Sequence, residues 1–81
     1  MSHRSHVPAI AAKYFGISIE PAYHDHPVIA QYFVPGNGWV SYPCTKRVSI
    51  NALRGLRAKG ASHVSLAYEG RSADFMISEL L

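Results

Sequence analysis

The chain has 81 residues, 48% of them apolar, with eight Lys and Arg against five Asp and Glu, five His and a formal charge of +3. That apolar content excludes a disordered segment, and the length predicts a single domain over residues 1–81 that buries roughly 60–65% of its unfolded surface. Cys44 stands alone, which excludes an internal disulfide and predicts a reducing, cytoplasmic setting, and no run reaches the roughly 18 apolar residues that a membrane span requires.

Residues Met1–His6 are polar and predicted to be loose, and the N-terminal stretch lacks the long apolar core of a signal peptide. Val7–Phe15 predicts a short helix with Pro8 in its first turn, Ile10, Tyr14 and Phe15 facing inward, and Gly16 as its stop. The words AIAAKYFGIS resemble the first helix and turn of a helix-turn-helix, with Ala12 four residues before Gly16. The segment that follows, IEPAYHDHP, leaves no room for a recognition helix because Pro21 and Pro27 interrupt it.

Ile17–Glu20 predicts a short strand and Pro21–Pro27 a loop. Val28–Val34 is rich in β-branched and aromatic residues and predicts a strand, and Trp39–Tyr42 predicts its returning partner. With Pro35-Gly36-Asn37-Gly38 as a four-residue turn, Val34 faces Trp39 and Phe33 faces Val40. One face of the hairpin then carries Ala30, Tyr32, Val34 and Trp39, and the other Ile29, Phe33, Val40 and Tyr42. Both are apolar, so one packs under a helix and the other needs a second cover, the N-terminal segment or another molecule. A homodimer is among the partners expected of the chain.

Thr45–Gly60 is the clearest element. Ile50, Leu53 and Leu56 recur at helical spacing with Ala52 beside them. Ser49 is the expected N-cap, Val48 and Leu53 the expected hydrophobic staple, and Gly60 the expected left-handed stop. Gly55 weakens the helix and suggests a close approach to a sheet. Arg47, Asn51, Arg54 and Arg57 are assigned to the opposite face. After the helix, Val64, Leu66 and Tyr68 alternate as in a strand, and Glu69-Gly70-Arg71-Ser72 predicts a turn. Residues 73–81 fit either a hairpin partner or a helix, and the hairpin is the preferred reading. The fold class is α+β: β-hairpin, α-helix and β-hairpin around an antiparallel or mixed sheet, with a short N-terminal helix.

None of the motifs names a reaction. His24 and His26 point the same way on an extended backbone, and Cys44 or His63 are candidates to complete a zinc site with them. No paired-Cys motif accompanies them, so the expectation is no metal and no cofactor. Cys44 is expected to be a small buried residue at a strand end, although Lys46 lies two residues away. The turn VPGNGW lacks the Lys-Ser/Thr of a phosphate loop. These readings predict a protein that is not an enzyme.

No acid lies between Pro27 and Tyr68, an interval that holds Lys46, Arg47, Arg54, Arg57 and Lys59. Such a one-signed stretch fits an acidic partner surface or nucleic acid. In size, lone cysteine, absence of an enzyme motif and α+β layout, the chain resembles small phage-encoded inhibitors, anti-CRISPR proteins among them; the likeness is one of layout, not of residues. It implies a non-enzymatic protein that modulates or inhibits a larger protein or nucleoprotein complex. Arg47, Asn51, Arg54 and Arg57 would steer the encounter, and Tyr32 and Trp39 would anchor it. Direct nucleic-acid binding through the helix over 46–59 is the alternative, and metal binding through His24 and His26 a second one.

Overall fold

The computed structural model describes residues 7–16 and 26–81, so the strand expected over 17–20, most of the loop expected after it, His24 and the N-terminal residues expected to be loose lie outside the described part. The elements run α1 (Ala9–Phe15), β1 (Val28–Val34), β2 (Gly38–Ser41), α2 (Ile50–Ala58), β3 (His63–Tyr68), β4 (Arg71–Met76) and α3 (Ile77–Leu80). The four strands form one antiparallel sheet in the order β2-β1-β3-β4. This is the α+β arrangement that the residue pattern predicts. Residues 73–81 divide between their two readings: the preferred hairpin strand holds up to Met76, and one helical turn over Ile77–Leu80 follows, capped at Met76. Among the described residues, no helix is long and apolar enough to cross a membrane.

The α2 helix forms for the reasons its sequence gives. The Ala52 N–H donates to Ser49 Oγ at 3.1 Å, which satisfies a first-turn donor. Val48 and Leu53 are both buried in the same cluster, as a hydrophobic staple requires. At the other end, Gly60 (φ 96°) allows its N–H to donate to the Arg57 carbonyl at 2.9 Å, and the Ala61 N–H donates to the Leu56 carbonyl at 3.1 Å. These two bonds make a Schellman stop, and Leu56 and Ala61 supply its buried apolar contact.

All three helices cover the same face of the sheet. Leu53 and Leu56 of α2, Ala11, Ala12 and Phe15 of α1, and Ile77 and Leu80 of α3 join one buried cluster with Ile29, Val64, Leu66 and Phe75 of the sheet. The α1 helix differs from expectation. Ile10 and Tyr14 are 50% and 57% exposed, while Ala11 and Ala12 face the core. Alanines let the short helix lie close to its neighbours, and Phe15 fills the space beyond them against Tyr68 and Phe75. Arg71 belongs to β4 rather than to a turn; its guanidinium lies 5.4 Å from the Phe15 ring centroid and donates to the Phe15 carbonyl at 3.0 Å. A cation is thereby placed at the C-terminal end of α1, where free carbonyls accept it.

The hairpin register also differs. Phe33 pairs with Trp39, Tyr32 with Val40 and Val34 with Gly38. The loop has three residues, because the Asn37 N–H donates to the Val34 carbonyl at 2.8 Å across Pro35 and Gly36 (φ 89°), an arrangement that suits proline and then glycine. Gly38 is thus the first strand residue. A bulge in β1 between Ile29 and Gln31 makes Ala30 the extra residue. It brings Ile29 and Tyr32, an odd and an even position, to the same core-facing side. Cys44 is exposed in the bend after β2, not buried at a strand end. Gly55 is exposed too, and a Cβ there meets nothing within 4 Å, so no close approach to the sheet requires it.

Thermal unfolding of Leu53→Ala should show a loss of about 2–5 kcal/mol, since that side chain is fully buried. Arg54→Ala should change stability by less than about 0.5 kcal/mol, and Gly55→Ala should gain about 0.5–1 kcal/mol from helix propensity; equal losses for Leu53→Ala and Arg54→Ala would mean that α2 is rotated. For α1, Arg71→Ala should lower Tm by several degrees, the effect of roughly 1 kcal/mol in a domain this small, with Arg71→Lys intermediate. An unchanged Tm would mean that α1 docks without it.

Candidate interaction surface

One face of the sheet carries no helix among the described residues, and period-two alternation fixes what this helix-free face displays. Val64 and Leu66 of β3 point into the core, so His63, Ser65 and Ala67 point out. Each outward residue brings its cross-strand partners. At the hairpin end, Trp39, Phe33, His63 and Met76 form one row across all four strands, through the pairs Phe33–Trp39, Phe33–His63 and His63–Met76. The next row is polar: Ser41, Gln31, Ser65 and Asp74. The last row holds Arg47, Val28, Ala67 and Ser72, with Arg47 bridged to Val28 next to β1.

The apolar row is ordered by ring contacts. Phe33 meets Trp39 edge-on at 5.4 Å between centroids and His63 edge-on at 5.9 Å. His63 is oriented from behind by a 2.8 Å hydrogen bond between its Nδ1 and Ser62 Oγ. Ser62 is itself fixed, since its N–H donates to the Phe33 carbonyl at 2.8 Å and its carbonyl accepts from the Ile77 N–H at 2.9 Å. Trp39 and Met76, at the two ends of the row, remain 43% and 45% exposed. Beyond the opposite row, His26, Thr45, Arg47 and Glu69 border an open depression of about 510 Å³.

The six residues assigned to partner binding are not brought together. Trp39 and Arg47 lie on the helix-free face, at opposite ends of it. Arg47 is therefore not on the α2 face to which it was assigned; it precedes the N-cap in extended chain. Asn51, Arg54 and Arg57 are exposed on α2, which packs on the other face of the sheet; Asn51 and Arg54 point away from the buried Leu53 and Leu56, while Arg57, one turn after Leu53, flanks the buried stripe. Tyr32 faces the core, half-buried, with its ring edge-on to Tyr42 at 6.1 Å. Phe33, His63 and Met76 were missed as surface residues. A three-residue turn sets Phe33 opposite Trp39, and the outward phase of His63 was already legible from the alternation of Val64 and Leu66.

Of the possible metal ligands, His24 lies outside the described residues, His26 borders the depression and His63 stands in the apolar row. Among the described residues, no group of three or more His, Cys, Asp and Glu is placed to hold a metal ion. No protein-family model matches the chain, and no curated protein or solved structure matches it either.

Proposed function

We propose that this chain is a non-enzymatic binding protein that modulates or inhibits a larger protein by surface contact, and that the helix-free face of its sheet is the contact surface. The observation that carries this reading is the row Trp39–Phe33–His63–Met76, a band of large side chains, its three rings in edge-on contact and its two ends open to solvent. Tryptophan and its neighbours in such a band are the residue types that dominate interface energies when water is excluded from them. Contiguous exposed apolar surface also marks interaction sites more often than scattered residues do. The lone Cys44 thiol suits a cytoplasmic setting.

Electrostatics favours a protein partner over nucleic acid. Single-strand binders place stacking aromatics beside a positive groove on the same surface. Here Arg47, the base that shares the aromatic row's face, stands at its opposite end, and Arg54 and Arg57 are carried by α2, which packs on the other face of the sheet. The α2 arginines act as a long-range field that hastens encounter with an acidic surface. They do not contact what the sheet holds.

Affinity capture from nuclease-treated lysate, with wild type beside Trp39→Ala and the double variant Arg54→Ala/Arg57→Ala, tests the reading. A protein partner should survive nuclease, be retained by the arginine variant, and lose at least about 2 kcal/mol of affinity for Trp39→Ala, the loss of a hot-spot residue. Recovery of nucleic acid alone, abolished by the arginine changes and indifferent to Trp39→Ala, would contradict it.

A further inference from the structure

The helix-free face carries a second property: it is complementary to itself. We infer that it takes a second copy of this chain, forming a two-fold dimer of face-to-face sheets; this rests on the reading of that face as the contact surface. The formal charges at its register positions are Arg47 and Asp74, one of each sign, and Glu69 borders the depression at the Arg47 end, so the face lacks the positive excess of the chain, which carries +3. The bases of α2 lie on the other side and stay apart when two such faces meet.

The order of residues across the sheet supplies the geometry. A two-fold axis in the plane between two sheets, parallel to the strands, reverses each row. It sets Trp39 over Met76 of the second copy and Phe33 over its His63, and by symmetry the converse. Thioether against indole and imidazole against phenyl are favourable ring contacts. The same operation places Arg47 over Ser72 of the second copy, one side-chain rung of about 6.6 Å from its Asp74. An extended arginine spans that distance, and the symmetry supplies the ion pair twice. Face-to-face sheets lie about 10 Å apart with strand directions within about 30°, which this axis permits.

The size of the face sets the strength. Four strands and about six residues of length project to roughly 400 Å² per copy, near 800 Å² for the pair, the range of weak contacts. The dimer should therefore dissociate on dilution through the micromolar range. A larger partner then competes with the second copy for the same face, and self-association shields the apolar row until that partner arrives.

Sedimentation velocity over a concentration series tests this, with circular dichroism confirming that each variant is folded. Wild type should shift from monomer to dimer with rising concentration, and Trp39→Ala should raise the dimer dissociation constant about tenfold or more. Arg47→Glu alone should weaken the dimer, and the exchanged pair Arg47→Glu/Asp74→Lys should restore it. A wild-type chain that stays monomeric into the millimolar range, or a dimer unmoved by Trp39→Ala, overturns the second copy as occupant. If Trp39→Ala still abolishes partner capture in that case, the contact-surface reading stands without the dimer. If Trp39→Ala alters neither, both fall.

Discussion

Alternation along β3 is the constraint on which the rest depends. Val64 and Leu66 are fully buried, and β3 is paired on both sides, so its phase dictates that of the sheet. A one-residue slip would turn both side chains to solvent and carry His63 and Ser65 under the helices, which burial of two large aliphatic residues forbids. Once that phase is set, pairing with β1 and β4 places Ile29, Tyr32, Ala73 and Phe75 beneath α1, α2 and α3. The outer face follows as a remainder: whatever alternates with the core residues must be displayed. Trp39, Phe33, His63 and Met76 are displayed together because three cross-strand pairs fall on one row.

Much of this was legible in the residues. The cap, staple and stop of α2 are local chemistry, written within about a dozen positions, and each is present where Ser49, Val48, Leu53 and Gly60 imply it. The layout of two hairpins about a helix follows from turn residues and alternation. The two errors in the first hairpin have one source: a strand's phase depends on how many residues its turn and bulge consume. Counting Gly38 in the turn shifted the register by one and hid the Phe33–Trp39 pair. Nothing local in Ile29-Ala30-Gln31 announces the bulge, since the extra residue is set by pairing with β3. In α1, hydrophobicity ranks Ile10 and Tyr14 above Ala11 and Ala12, but the distance between helix and neighbours selects the alanines for the core.

The partition of charge and aromatic surface also lies beyond one-dimensional reading. In the sequence, Arg47, Asn51, Arg54 and Arg57 follow Trp39 within the acid-free interval between Pro27 and Tyr68 and look like parts of one site. In the fold, the sheet separates them. Arg47 stays with the displayed face because it pairs beside Val28 before the helix begins, while Arg54 and Arg57 follow α2 to the other side. The result is a chain with two distinct surfaces, one that exerts a positive field and one that offers apolar contact. A protein complex can use such surfaces in sequence, for encounter and then for retention, whereas single-strand nucleic-acid binding by stacking places both on one surface.

The claim beneath all of this is that the Trp39–Phe33–His63–Met76 row is open to solvent in the isolated chain. Nuclear magnetic resonance with a soluble paramagnetic relaxation agent, recorded on dilute monomer, measures that directly. The Trp39 indole and the Met76 methyl should broaden strongly, while the methyls of Leu53, Val64 and Leu66 stay sharp. Protection of Trp39 and Met76 to the level of Leu66 would show that the chain covers its own sheet face, and the account would be wrong.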